Sequence, residues 1–300
     1  MIDIGKMTWF QTKNLAKNFI QLTNDDDVQT LLSNFPKEFF CFGWWSNLLF
    51  SQPVYEKTFF IKNNLTWIKY LWENQWEVKA WENLWKFVSH LDEKGNNNLN
   101  PIFAIPWTIG WAVIGNAWSY GIEIWDFVSW LRYIDENWES IETDEYIYWY
   151  RYSNLKHKKI ILTDIILEIP QENNPLRETK EHYMKKSLET KEYKKTCWSY
   201  FKNYTLTEKD NIEIFLEYPD FPARKNIWDD NIVVPAWWMI DKCWLRWWEM
   251  NWVKIADKHA NFIQNLDNDD AENILNLAKF IKQKVFERFR VVLKEEVIIF

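Results

Sequence analysis

Glycine is what this chain most conspicuously lacks: it has 6 in 300 residues, against an ordinary usage of roughly 7%, so about fifteen are missing. Cysteine is scarce too. Cys41, Cys197 and Cys243 are odd in number and widely spaced, which excludes a disulfide framework and matches no zinc or Cys-x-x-Cys pattern, so reduced thiols are expected. The four histidines, at 90, 157, 182 and 259, show no metal-ligand spacing, and no structural metal is expected. No uncharged apolar run reaches the length of about 18 residues that a membrane-spanning helix needs. Residues 1–10 carry no basic stretch followed by an apolar one, so no secretory signal is read and a cytoplasmic location is expected. An excess of basic charge is also absent: the formal net charge is −7, which argues against a nucleic-acid surface. The short lysine runs at 156–159 and 185–186 read as solvated faces.

What the chain has instead is tryptophan, 23 of them, and they stand where a folded chain wants glycine. Trp138 follows Asn137 and Trp252 follows Asn251. Asn-Gly is the strong signal for a tight hairpin because both central residues take φ > 0, and an indole is a poor occupant of that position. Residues 42–47 and 105–112 likewise read as glycine-rich loops interrupted by the largest side chain available. The two anomalies have one explanation if a stop-type codon, written here as tryptophan, is read as glycine by the organism. The alternative is a truly tryptophan-rich protein, such as a carbohydrate binder or a membrane-interface protein with aromatic belts, but aromatic platforms do not account for the lost glycines.

At this length the chain is expected to form two or three domains with real cores. Residues 14–35 read as helical, and 38–50 as an apolar strand entering a glycine-type loop. Segments at 58–61, 77–80, 122–131, 139–142 and 159–169 are β-rich, with a helix over 83–93. The order is α+β, without the repeated βαβ period of a Rossmann domain. Residues 170–175 form a Pro-containing break before a Lys/Glu-rich helix over roughly 177–190, and 220–230 reads as a surface loop. A clean amphipathic helix is predicted over 268–288, with Ile274, Leu277, Ala278 and Ile281 on one face, and a terminal strand over 290–300.

With tryptophan read as glycine, residues 43–48 become Gly-Gly-Gly-Ser-Asn-Leu after a strand. Consecutive glycines let backbone N–H groups cradle a pyrophosphate, with Ser46 and Asn47 adding donors. Residues 105–121 become a second such loop, Ile-Pro-Gly-Thr-Ile-Gly-Gly-Ala-Val-Ile-Gly-Asn-Ala-Gly-Ser-Tyr-Gly. Neither is followed by a Walker Lys-Ser/Thr, so the pair suits an extended dinucleotide held between lobes better than a nucleoside triphosphate.

On these motifs the chain resembles the MurB family, the UDP-N-acetylenolpyruvoylglucosamine reductases, over about residues 8–297. The family's Gly-Gly-Gly-Ser-Asn-Leu-Leu loop matches 43–49, and its Ile-Pro-Gly-Thr-x-Gly-Gly-Ala segment opens the match over 105–121. Tyr-Arg-x-Ser matches 150–153, Gly-Ser-x-Phe-Lys-Asn matches 198–203 and Pro-Ala-Gly-Trp-Leu-Ile-Asp matches 235–241. Lys-His-Ala-Asn-Phe-Ile stands at 258–263 and Leu-x-x-Glu-Val at 293–297. Trp44, Trp45, Trp107, Trp111, Trp118, Trp149, Trp198, Trp237 and Trp244 each fall on a family glycine, whereas Trp238 is one the family itself places as tryptophan.

The resemblance implies a two-lobed FAD-binding domain of the PCMH or vanillyl-alcohol-oxidase type and a C-terminal α+β substrate-binding domain. Lobe 1 would span 1–63 with the strand 289–300, lobe 2 would span 64–185, and the substrate domain 186–288. FAD, bound non-covalently, would lie against Gly43, Trp44, Trp45, Ser46, Asn47, Leu48, Pro106, Trp107, Thr108, Gly110, Trp111, Asn116 and Trp118. NADPH would be the hydride donor, and a UDP-sugar, UDP-N-acetylglucosamine enolpyruvate, the substrate of a monomeric enzyme of peptidoglycan precursor synthesis. Hydride addition to the vinyl carbon creates an enolate-like intermediate that needs charge stabilisation and then a proton. Arg151 and Glu296 match the family positions that hold and polarise the enolpyruvyl carboxylate, and Ser199 matches the proton donor, with Arg151 and Lys202 near it. Lys191 and Asn203 fall near positions that contact UDP, Tyr120 lines the sugar pocket, and His259 is read as a supporting residue outside catalysis. No counterpart of the longer subtype's mobile tyrosine loop is found over 169–185, although the insert between Asn203 and Pro235 resembles that subtype. Ile298 and Tyr204 replace a common family Arg and Pro. The competing readings are another FAD oxidoreductase of the same fold, which would lack the 198–203 and 293–297 motifs, and a non-catalytic glycan-binding module if the tryptophans are genuine.

Overall fold

The computed structural model describes residues 1–34, 36–42, 47–149, 152–190, 195–222, 224–225 and 232–300. The chain divides into two compact units. The first comprises residues 1–2, 16–46 and 55–189, and the second comprises 3–15, 47–54 and 190–300.

The first unit is built round a five-stranded antiparallel sheet in the order Ser140–Thr143, Val128–Ile134, Ile161–Glu168, Gln75–Lys79, Ile68–Tyr70. Ile161–Glu168 is central and lacks the alternation of a half-solvated strand: Ile161, Leu162, Ile165 and Leu167 are all buried, as expected of a strand covered on both faces. The helix Leu84–Glu93 packs Leu84, Phe87, Val88 and Leu91 into the same core as Val78, Leu131 and Ile165. Its start is fixed by Asn83, whose side chain accepts from Trp85 N at 3.0 Å, the ordinary device for an orphan helix-terminal donor. A second sheet in this unit sets Phe39–Phe42 parallel to the strand Val54–Asn63, with Leu15–Leu22 on the other side.

In the second unit the long helix Ala271–Phe289 buries Ile274, Leu277, Ala278, Ile281, Val285 and Phe289. These spacings of three and four residues form one apolar stripe. Asp270 caps it, accepting from Glu272 N at 2.9 Å. The stripe packs with Trp238, Met239 and Ile240 of the helix Ala236–Lys242 and with Val253 and Ile255. Two three-stranded antiparallel sheets complete the unit, Glu249–Met250, Val253–Ile255, Ile263–Asn265 and Tyr204–Thr205, Ile232–Val234, Arg224–Lys225. Leu48–Leu49 pairs in parallel with Ile298–Ile299.

Mixed helix and sheet is as the sequence predicts, and the helices over 83–93, 177–190 and 268–288 are observed as Leu84–Glu93, Lys180–Thr190 and Ala271–Phe289. Two expectations are corrected. Residues 14–35 are not helical throughout: Leu15–Leu22 is a strand, and only Asp25–Asn34 is a helix. The alternating pattern of Phe19, Gln21 and Lys17 is weak enough to be read either way, and pairing with Val54–Asn63 decides it. The terminal strand over 290–300 shrinks to Ile298–Ile299: Val291, Leu293 and Val297 keep a strand's alternation toward the core, but among the described residues 290–297 pairs only through the isolated bridge of Glu295 to Phe201. Among the described residues no helix is long and apolar enough to cross a membrane, and Cys41, Cys197 and Cys243 are free.

Gly110 is required by close approach. A Cβ built there would lie 2.7 Å from Ala80 O and 2.8 Å from Ala80 Cβ, and Gly110 N donates to that same carbonyl at 2.5 Å. Substituting Gly110→Ala is therefore expected to destabilise the first unit by about 1–3 kcal/mol, read as a lower urea midpoint without a change in slope.

Candidate functional site

The first unit contributes the loop and short helix 105–121. Residues 107–110 lie against the turn that leaves the strand Gln75–Lys79: Leu84 N donates to Trp107 O at 3.0 Å, and Ile109 N donates to Glu82 O at 2.8 Å. Thr108 caps the helix Ile109–Ile114, its Oγ1 accepting from Trp111 N at 3.2 Å. Beside it is a cavity of about 540 Å³ lined by Asn63, Asn64, Thr66, Asn83, Trp107 and Thr108, among others. Its volume is that of a small-molecule site, and Trp81, Pro106 and Trp107 share its lining with the carboxamides and hydroxyls. Pro106, Trp107 and Thr108 line it, whereas the N–H groups of Gly110 and Trp111 are already bonded to Ala80 O and Thr108 Oγ1.

Asn116 is fully buried with φ 45°. Its amide nitrogen donates to Glu123 Oε2 at 2.6 Å and to Trp149 O at 2.9 Å, while its Oδ1 has no partner. Trp118 lies in the two-residue strand Trp118–Ser119, which pairs with Ile122–Glu123. Between them Tyr120 and Gly121, at φ 46° and 81°, make the hairpin turn. The exposed Tyr120 ring lies 5.0 Å from that of Tyr183, and Lys186 Nζ is 5.6 Å from its centre.

In the second unit the segment 199–203 is held from two sides. On one, Tyr200 N donates to Asn261 O at 2.8 Å, and Ser199 bridges Phe262. On the other, Lys202 N donates to Lys294 O at 2.9 Å, Glu296 N donates to Tyr200 O at 2.8 Å, and Phe201 bridges Glu295. Ser199 and Glu296 thus stand on adjacent backbone segments, both half-buried. Asn203 is exposed, with its Oδ1 accepting from Ala236 N at 3.1 Å. Burial and the nearby negative charge of Glu296 push the Cys197 thiol well up, so it is inert as a nucleophile. Asn47 is buried next to the parallel pair, its carbonyl accepting from Ile298 N at 2.9 Å and its Oδ1 unpartnered. Leu48 is fully buried in that pair. Gly43, Trp44, Trp45, Ser46, Arg151 and Lys191 lie outside the described residues.

Asn116 in the first unit and Asn47 in the second each leave a buried carboxamide oxygen without a partner among the described residues, at a cost of about 1–3 kcal/mol unless a donor arrives. The ribose hydroxyls and ring N–H of a flavin dinucleotide are donors of that kind.

Residues 190–300 match the family described as UDP-N-acetylenolpyruvoylglucosamine reductase, C-terminal domain, MurB_C. The C-terminal region is a MurB domain. Curated relatives named UDP-N-acetylenolpyruvoylglucosamine reductase extend the likeness along the chain. The Fusobacterium nucleatum protein is 26% identical and covers 87% of this chain and 84% of its own length. That of Francisella tularensis is 24% identical over 99% of this chain and 98% of its own. The chain also shares its fold with the MurB reductase of Thermus caldophilus, at a TM-score of 0.72 and 18% identity, covering 100% of this chain and 97% of that one.

Sequence reasoning gave Asn261 no role, although the motif at 258–263 contains it. Its side chain closes a two-way clamp on one peptide: Oδ1 accepts from Phe201 N at 2.9 Å, and Nδ2 donates to Phe201 O at 2.8 Å. Only a carboxamide offers both polarities on one short stem. Asn261→Asp keeps the acceptor and loses the donor, so this MurB domain is expected to lose about 1–3 kcal/mol of stability. In the folded variant kcat is expected to fall more than KM rises, because Ser199 stands two residues before the clamped Phe201 and Lys202 one residue after it; an unchanged kcat would limit Asn261 to a structural role.

Proposed function

We propose that this chain reduces UDP-N-acetylglucosamine enolpyruvate to UDP-N-acetylmuramate, with NADPH as the source of the hydride. The observation that carries this is the packing of segment 199–203 between Asn261 and residues 294–296, which brings Ser199 and Glu296, matching the proton donor and a carboxylate-holding position of the resembling motifs, onto neighbouring backbone. Support also comes from relatives of that name over most of the chain.

FAD is the proposed cofactor, held by residues 43–48 and 105–118 in a two-lobed domain of the vanillyl-alcohol-oxidase type, with the substrate held by 186–288. When bound, the flavin supplies the hydride that reaches the vinyl carbon. As that C–H bond forms, the double-bond electrons move toward the carboxylate as an enolate. Arg151 is proposed to hold this growing charge, a task suited to a fixed guanidinium. Glu296 is proposed to hold and polarise the carboxylate with Arg151, while Ser199 Oγ–H delivers its proton to the neighbouring carbon and the serine oxygen regains a proton from solvent. Lys202, one residue beyond the clamped peptide, lowers the cost of the transient negative charge on the serine. Lys191, Asn203 and Tyr120 are proposed to bind the UDP-sugar. Free cysteines and relatives that are reductases of a soluble nucleotide-sugar precursor support a cytoplasmic location.

Protein purified from its source cells is expected to be yellow, to oxidise NADPH, and to convert the enolpyruvyl sugar to the lactyl ether. With Ser199→Ala, bleaching of the flavin by NADPH should keep its rate, while product formation falls by roughly 10²–10⁴-fold. Loss of both half-reactions equally would remove Ser199 from the proton-transfer role. A colourless protein that binds glycans would favour the non-catalytic reading.

A further inference from the structure

The backbone divides the tryptophans into two classes. Among the described residues, five of the 23 tryptophans take φ between 60° and 76°: Trp138, Trp198, Trp244, Trp247 and Trp252. Among the described residues no phenylalanine does, and Tyr120 is the one tyrosine. Aromatic bulk is common to all three types, so bulk does not select this conformation. For a bulky residue it is an outlier.

Four of the five sit at positions whose hydrogen bonding defines a turn that demands glycine. Asn251 and Trp252, at φ 49° and 62°, are the two loop residues between the paired Met250 and Val253, a two-residue hairpin whose second position is glycine by preference. In the loop joining Val128–Ile134 to Ser140–Thr143, Trp138 N donates to Asp135 O at 3.1 Å and Asp135 N to Glu139 O at 3.0 Å. That is a type I turn closed by a left-handed bulge residue, again glycine. Trp244 follows the end of the helix Ala236–Lys242, with its own N donating to Asp241 O at 2.9 Å and Leu245 N to Ile240 O at 3.4 Å. This double return is the Schellman stop, whose left-handed residue is usually glycine. Trp247 is the third residue of a turn closed by Trp248 N to Leu245 O at 3.0 Å, and positive φ there alone makes it type II.

Trp125 and Trp238 behave oppositely. Trp125 is buried, its Nε1 donating to Val113 O at 2.7 Å and its ring stacked on Tyr148 at 5.3 Å. Trp238 is buried among Phe215, Tyr218, Phe221 and Phe289. Neither has positive φ.

We propose that positions 138, 198, 244, 247 and 252 are glycine in the protein as its own cells make it, through a codon that those cells decode as glycine, and that 125 and 238 are tryptophan. Trp244, Trp252 and Trp247 are 84%, 70% and 65% exposed; on this reading these exposed indoles mark no docking surface. Position 198 is different in consequence, since it precedes Ser199. Glycine there removes an indole from beside the proposed proton donor.

The test is peptide mass spectrometry of the protein isolated from its source cells, a readout independent of any activity. Glycine at the five positions with tryptophan at 125 and 238 is the expected result. Tryptophan at any of the five, or glycine at 125 or 238, overturns the division. A recombinant comparison bears on the same point. Trp244→Gly and Trp252→Gly in the literal chain are each expected to raise the Tm by roughly 2–4 °C, and Trp125→Gly to lower it by more. A lower Tm for the first two would show that the backbone there does not demand glycine.

Discussion

Chain reversal within three or four residues is the constraint on which the second unit rests. Its sheet Glu249–Met250, Val253–Ile255, Ile263–Asn265 and the exit from Ala236–Lys242 both depend on backbone turning through the left-handed region. A Cβ in that region meets the neighbouring carbonyl, which is why glycine is the default occupant. The register Met250 to Val253 has no slack: a wider loop would shift the strand by a residue and turn Val253 and Ile255 from core to solvent. The fold tolerates a poor residue at such a turn more readily than a lost turn, because the buried stripe of Ala271–Phe289 and the strands it covers act together.

The parts legible in the sequence were those written in periodicity. Ile274, Leu277, Ala278 and Ile281 announced their helix because the spacing matches 3.6 residues per turn, whereas the caps at Asn83 and Asp270 came from the structure. Leu15–Leu22 was not legible, since its face is decided by a strand some forty residues away. The same holds for 290–297, where the buried Val291, Leu293 and Val297 alternate as in a strand and only the lack of a laddered partner keeps the segment from being one.

The candidate site divides in the same way. The loop 105–121 could be picked out by its glycine-type residues, and the Ser199 and Glu296 positions through the resembling motifs that contain them. The hydrogen bonds that hold each of them within its own unit could not. Asn261 acts through a peptide sixty residues earlier in sequence, and nothing in its neighbours states the partner. Gly110 and Trp111 show the converse: a glycine-type loop looked open to a ligand, yet their N–H groups serve Ala80 and Thr108. In this MurB domain and the unit before it, residue types report chemistry, and the backbone reports whether that chemistry is free.

The parallel pairing of Leu48–Leu49 with Ile298–Ile299 has a consequence for the order in which the protein is made. Residues 47–49 leave the ribosome early and wait through some 250 further residues for their partner strand, one of the longest sequence separations this chain can impose. Until then Asn47 has no fixed edge to lie against, and a fragment released prematurely would expose two adjacent leucines that the finished chain buries completely. A chain cut short therefore carries an apolar strand open to wrong partners, and only the arrival of Ile298–Ile299 closes it.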